Sequence, residues 1–321
     1  MFDPTEPGEQ ENRVSTQAQE ERQFAWVLNL DADLELAVTH GYTPKRTVLE
    51  AMKPYVGLLA RSLFEPGDRV VDESFAALPE SERSTYTGRA FSPTPRAIAM
   101  LRRAGVEPEP HPAVEVLRRV NSRAFSASLG QTLPGASFVT DLEAARAVLA
   151  ESPPVGSAWR VKRNFGMTGR GQRVLRRAPD DADLAFLRAG LTEGGVQIEP
   201  ELSIAAEYGV HGMIGAAGDA SLGVVVRQRC DARGAWIVTE RMTSPTQHDL
   251  ETAAAIETEA RRTAAALAKA GYFGPFGVDS YVYRSENGNL DIQLRSEINA
   301  RYSMGFAIGF LGRESNTARP V

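Results

Sequence analysis

The chain has 321 residues, enough for a large core and two or three structural units. Hydrophobic residues at 42%, charged residues at 24% and a formal charge of −5 are ordinary for a soluble globular protein and give no global pull toward nucleic acid or an anionic membrane. The single cysteine, Cys230, excludes an intramolecular disulfide and a cysteine-based metal site, and no apolar run reaches the roughly 20 residues that span a bilayer.

Residues 1–22 are acidic, polar and without an apolar core, which fits a disordered tail and neither a signal nor a transit peptide. A cytoplasmic enzyme or binding protein is the expectation. Order begins at "FAWVLNLDADLEL" (24–36), whose first half is a compact apolar strand. "TPKRTVLEAMKPYVGLLARSL" follows at helical spacing, then "DRVVDES" as a short strand. "SPTPRAIAMLRRAGV" reads as a helix opened by Ser92 or Thr94 with proline in its first turn. Strands alternating with helices predict a small α/β domain over 23–120, closed by the proline-spaced "EPEPHP".

A second unit is expected over 121–195. Thr140 or Asp141 caps "DLEAARAVLAES", and "AWRVKRNFGMTGRGQRVLRRA" reads as strand, glycine-rich loop and strand. A third unit over 196–321 holds "VQIEPELSIAAEYGVHG", a hairpin turning at "DARG", a long Ala-rich helix over 247–270 and a closing hairpin turning at "ENGN". Its arginine runs lack interleaved aromatics, so no nucleic-acid partner is expected, and no membrane partner either.

Two segments carry chemistry. In "KRNFGMTGRGQRV", Gly166, Gly169 and Gly171 expose backbone N–H groups, with Lys162 and Arg170 adding charge. No Walker A loop is present, and strand-like "QRVLRR" follows where a dinucleotide fingerprint requires a helix. A flap over polyphosphate and a plain glycine hairpin both fit. In "LDIQLRSEINAR", a two-residue period puts Asp291, Gln293, Arg295, Glu297, Asn299 and Arg301 on one face.

A strict two-residue turn at Asn287–Gly288 would set Asp279 on the face of Ile292 and Leu294, which is costly for a carboxylate. One more loop residue, or a bulge at Gly288, sets Asp279 opposite Glu297 or diagonal to it. Opposed residues have Cβ atoms about 5 Å apart, where like charges repel unless a cation joins them. Oxygen ligands in modest number suit Mg²⁺ carried with phosphates. A salt-bridged polar strand, with Arg295 and Arg301 neutralising the acids, is the alternative. Cys230 reads as a small buried hydrophobe, and the four histidines show no metal-ligand spacing.

Together these segments resemble the ATP-grasp superfamily over roughly residues 121 to 310. "SEINARYSMG" is similar to its closing Glu-x-Asn-x-Arg element, "FGVDSYVY" to the strand with its first metal acid, "WRVKRNFGMTGRGQRV" to its phosphate-covering hairpin, and "VQIEPEL" to its hinge. The resemblance implies an α/β fold: a leading α/β domain and two lobes with antiparallel sheets. It implies ATP and Mg²⁺, with Lys162 near the α-phosphate and adenine, and Gly166, Thr168, Gly169, Arg170 and Gly171 over the β- and γ-phosphates. Glu199 would lie at the hinge and Glu207 near the ribose. Asp279, Glu297 and Asn299 would hold the metal ions. Arg301, with Arg227 or Arg229, would steady the transferring phosphoryl group. Arg123 stands where the family commonly has a lysine, which keeps the charge but not the geometry.

The activity implied is ligation of a small-molecule carboxylate to an amine, including amino acids or a peptide, with release of ADP and phosphate; a homodimer is a family-level expectation. A small-molecule kinase and a nucleotide-binding protein without turnover are the alternatives. Asp31, Asp33, Arg96 and His211 are guesses for the substrate pocket.

Overall fold

A computed structural model describes residues 23–39, 41–167, 169–231, 234–285 and 287–313. The polar tail and Thr168 lie outside the described residues.

The leading unit runs β1 (Phe24–Val27), α1 (Ala32–Leu36), α2 (Arg46–Leu63), β2 (Arg69–Val70), α3 (Glu73–Ala76), α4 (Glu80–Arg83), β3 (Thr87–Ala90), α5 (Pro95–Arg103) and β4 (Glu107–Pro108). Its sheet is parallel, in the order β2-β1-β3-β4. The strand β3, "TGRA", has no apolar run to announce it. β4 falls inside "EPEPHP", and Pro108 is tolerated because β4 is an edge strand. Pro95 opens α5, whose cap residue is Thr94; its hydroxyl donates to Glu35 instead of capping the helix.

Two helices, α6 (Val114–Val120) and α7 (Arg123–Ser128), lead to the second unit: β5 (Ser137–Val139), α8 (Leu142–Ala150), β6 (Trp159–Met167), β7 (Arg170–Leu175), α9 (Asp181–Thr192) and β8 (Val196–Pro200). Asp141 caps α8 by accepting from the Ala144 N–H. The antiparallel sheet has the order β5-β8-β6-β7, so β8 pairs inside this sheet although it begins at 196. Val161, Val196 and Ile198 are fully buried beneath Leu187 of α9.

The third unit is β9 (Ser203–Ile214), β10 (Ala220–Leu222), β11 (Val226–Cys230), β12 (Trp236–Arg241), α10 (Gln247–Lys269), β13 (Gly274–Arg284), β14 (Leu290–Asn299) and α11 (Phe306–Gly309). Its strand order is β12-β11-β9-β13-β14, with β10 pairing β9. Thr246 and Asp249 form a capping box that starts α10. Ile256, Ala260, Ala264 and Leu267 recur along one stripe and bury against Val210, Val278 and Ile298 on the back of the sheet. Each large aliphatic side chain buried there stabilises by about 1.5–3 kcal/mol. With its back sealed, the sheet's other face is free to build a site. The expected architecture, a small leading α/β unit followed by two lobes with antiparallel sheets, is the one observed. Among the described residues, no helix is long and apolar enough to cross a membrane.

Candidate active site

The acid hairpin sets the geometry. Asp279 of β13 lies directly opposite Glu297 of β14, but the cause is not a bulge at Gly288. The turn spans Ser285 to Asn289, closed by the Ser285 N–H donating to the Asn289 carbonyl at 3.0 Å. Tyr281 then pairs with Gln293 and Asp279 with Glu297, so β14 carries two extra residues between those pairs. This irregularity breaks the two-residue alternation. Arg295 therefore does not share the face of Glu297, contrary to the expectation. It is buried on the side of α10, ion-paired with Glu259 and bonded to the Ser126 hydroxyl and carbonyl.

Asp279 is enclosed by amides. Gln228 donates to its Oδ1 at 3.0 Å and Asn299 to its Oδ2 at 2.9 Å. Burial, and then the Glu297 carboxylate opposite, push its pKa up to about 6, against the downward pull of the two amides. Glu297 accepts from the Arg123 guanidinium at 2.9 Å, and Arg123 Nε also donates to the Arg163 carbonyl on β6 at 3.1 Å. Arg123 thus links the two lobes through the acid pair.

Asp279, Glu297, Gln228 and Arg123 line a cleft of about 460 Å³ between the second and third units, and Asn299 is buried beside Asp279 without lining it. Of the expected residues, Lys162, Gly166, Gly169, Arg170 and Glu207 also face it. Met167 pairs with Arg170 across a tight hairpin, and Gly169 has φ +72, a region that glycine enters without strain. A Cβ on Gly166 would meet the Arg170 carbonyl oxygen at 2.9 Å, so this strand too needs a glycine. Gly171 lies in the same hairpin with φ +78 but does not line the cleft. Lys162 forms an ion pair with the buried Glu199 on the adjacent strand β8. Glu207 accepts from the Cys230 N–H at 2.9 Å.

Several expectations need correction. Arg227 pairs in register with Tyr208, whose ring belongs to the core on the α10 side. It therefore points away from the acids and forms an ion pair with Asp249 at 2.5 Å. Arg229, exposed and two residues on, shares that face by alternation. Gln228, between them, is the residue that reaches Asp279. Its signal is parity alone, legible only once the pairing of β11 with β9 is known.

Cys230 is half-buried at the cleft wall and not in the core. Burial, then Glu207 and Asp279, push its thiol up, so it offers no thiolate. Asp31 is ion-paired with Arg96 and lines neither cleft. His211 is fully buried beside Gly277, Gly305 and Gly309, with Nδ1 3.0 Å from the Ser303 hydroxyl, and burial lowers its pKa to about 4.

Arg301 faces a second, larger cleft of about 730 Å³ bounded by the leading unit, the glycine hairpin and the start of β12. Its Nη2 donates to Asp33 at 2.7 Å, and its Nη1 to the Tyr302 carbonyl at 3.1 Å. Asp33, one of the four guesses, is thus the residue that fixes Arg301. The two clefts share Met167, Gly169 and Arg170, so the hairpin forms a wall common to both.

Among the described residues, no group of three or more His, Cys, Asp or Glu side chains is placed to hold a metal by itself. Two opposed carboxylates and an amide oxygen fit Mg²⁺ as a partial shell, to be completed by other oxygen ligands. The hairpin and Lys162 fit a polyphosphate beside it.

No protein-family model matches the chain, and no curated protein matches it in sequence. The chain is similar in structure to N5-carboxyaminoimidazole ribonucleotide synthetase from Thermus thermophilus, at 16% identity over 88% of this chain and 72% of that chain, TM-score 0.48. It is also similar to biotin carboxylase from Campylobacter jejuni, at 17% identity, TM-score 0.47, over 66% of this chain and 47% of that one. A third likeness is to the biotin carboxylase domain of the Hydrogenobacter thermophilus 2-oxoglutarate carboxylase, at 17% identity, TM-score 0.47, over 89% of this chain and 60% of that one.

Proposed function

We propose that this protein is an ATP-dependent ligase that joins a carboxylate to an amine through an acyl phosphate, releasing ADP and phosphate. The observation that carries this reading is the directly opposed pair Asp279 and Glu297, flanked by Asn299, Gln228 and Arg123 and facing a glycine hairpin across one cleft. Like charges at that separation call for a cation, and the facing backbone suits phosphate. Asp279, Glu297 and the Asn299 oxygen would hold Mg²⁺, which supplies charge neutralisation for phosphoryl transfer.

The chain's own residues do the rest. The backbone of Gly166 and Gly169, with Arg170, covers the phosphates and keeps water out, and Lys162 holds the nucleotide from β6. Glu199 orients Lys162, and Glu207 stands at the cleft edge near the ribose. Arg301, fixed by Asp33, presents its charge from the neighbouring cleft, so an acid held there approaches the hairpin wall beside the phosphates. One oxygen of that acid attacks the γ-phosphorus as the bond to the β–γ bridging oxygen breaks and ADP leaves. The amine lone pair then attacks the acyl carbon, the bond to the phosphate oxygen breaks, and the amine loses a proton. Positioning and charge stabilisation suffice, and no nucleophilic side chain is required.

The test is release of ADP with hydroxylamine as a generic amine. Release that depends on a carboxylic acid and yields its hydroxamate supports the ligase. A stable phosphorylated product that needs no amine identifies a kinase instead.

A further inference from the structure

The larger cleft has a chemistry of its own. Leu30, Met52, Tyr55, Phe91, Trp236 and Met304 give it an apolar body, contributed by the leading unit, α2, β12 and the segment after β14. Tyr55 and Trp236 approach edge to face, with ring centroids 6.4 Å apart. Met52 packs on Met167 of the glycine hairpin, so α2 holds the shared wall from this side. Its charge is predominantly positive. Among the described residues, Glu201 is the only carboxylate on its lining, and Arg160 engages both oxygens of Glu201 at 2.5 and 2.7 Å. Arg170, on the shared wall, has no ion-pair partner among the described residues, and Arg301 lies at the same cleft.

Glycine, acetate or glutamate would leave most of this aromatic and thioether surface against water. The volume, about 730 Å³, falls in the range of pockets that enclose drug-sized ligands. The acid pair lines only the smaller cleft, so the nucleotide's phosphates belong there and the larger cleft remains for the other reactant.

The geometry points to a carboxylic acid with a large apolar, aromatic body as the substrate that receives the phosphoryl group. Its carboxylate would lie toward Arg170 and Arg301 and its ring among Tyr55, Trp236 and Met52. This assignment rests on the ligase reading for the reaction, but not for the binding.

The experiment uses the full chain with Mg-ATP and hydroxylamine. It compares 3-phenylpropionate, phenylalanine and N-acetylphenylalanine with acetate, glycine and glutamate. Burial of one aromatic side chain predicts kcat/KM about 100-fold higher for the aromatic acids. Binding is followed separately by quenching of tryptophan fluorescence with 3-phenylpropionate, because Trp236 lines the cleft.

Ala51 also lines the cleft but is exposed on α2, so Ala51→Phe should narrow the cleft without disturbing the core. It is expected to weaken 3-phenylpropionate at least tenfold while leaving nucleotide-induced stabilisation unchanged. Equal or better turnover of the small polar acids, selectivity carried by an aromatic amine instead, or unchanged affinity in Ala51→Phe would each overturn the assignment. If 3-phenylpropionate binds but Mg-nucleotide does not, the ligase reading fails and the ligand assignment stands. If nucleotide binds and acids show no selectivity, only the ligand assignment fails.

Discussion

Replacing Asp279 by Asn makes the cost of the acid pair measurable. The Asp279 carboxyl is held near pKa 6 in the folded chain, first by burial and second by Glu297, against an ordinary value of 3.8. The native state therefore binds this proton more tightly than the unfolded state does. The stability contributed is present at low pH and is lost as pH rises from about 4 through 6. About two pKa units at about 1.4 kcal/mol each amount to roughly 3 kcal/mol.

Asn cannot titrate, so its stability lacks this fall. Its own amide will face one of the donors from Gln228 and Asn299, which costs about 1–3 kcal/mol at every pH. The offset is removed by following the difference between wild type and Asp279→Asn across pH 4 to 8, using urea unfolding without nucleotide. The wild type should lose roughly 3 kcal/mol relative to the variant over that window. Parallel curves for the two proteins would refute the account of an Asp279 carboxyl raised first by its burial and then by the carboxylate opposite.

Other positions test other parts. Glu199→Ala leaves Lys162, half-buried at the cleft, without its carboxylate and should cost about 1–3 kcal/mol in urea unfolding, with much of the loss recovered by Lys162→Met/Glu199→Leu. Asp33→Asn frees Arg301 and should raise KM for the acid while leaving nucleotide-induced stabilisation unchanged; steady-state kinetics and thermal melting separate the two effects. A Cβ on Gly305 would overlap His211 Nε2 and crowd Thr239 Oγ1, so Gly305→Ala should destabilise by about 1–3 kcal/mol in thermal or urea unfolding. An unchanged melting curve would show that the slot around His211 is looser than described.

Much of the site is legible in the sequence because its groups are local. The Asp279–Glu297 pairing follows from a hairpin and a burial argument, and glycine density marks the facing hairpin. What stays hidden depends on pairing between distant segments. Arg227 goes to the wrong face in a sequence reading because the register of β11 against Tyr208 cannot be read from "VRQRC" alone. Arg295 is misplaced because it lies within a two-residue irregularity of β14, opposite Ser280, where the alternation is locally interrupted. The Arg123–Glu297 and Asp33–Arg301 contacts join residues 174 and 268 positions apart, and local pattern carries no trace of such pairs. In the leading unit, "TGRA" forms a strand because its backbone pairs with β1, not through any propensity of its own.

The proposed reaction requires Mg-nucleotide to be held on the Asp279–Glu297 face. The measurement that reaches it most directly is thermal stability with Mg²⁺ and a non-hydrolysable ATP analogue, on wild type beside Glu297→Ala. A ligand that binds only the folded state must raise its stability by mass action, about 2.7 kcal/mol at a hundredfold excess over Kd. The account predicts a rise in wild type that is lost or much reduced in Glu297→Ala, with both proteins folded without ligand. No rise in wild type at saturating analogue, or an equal rise in both proteins, would contradict it.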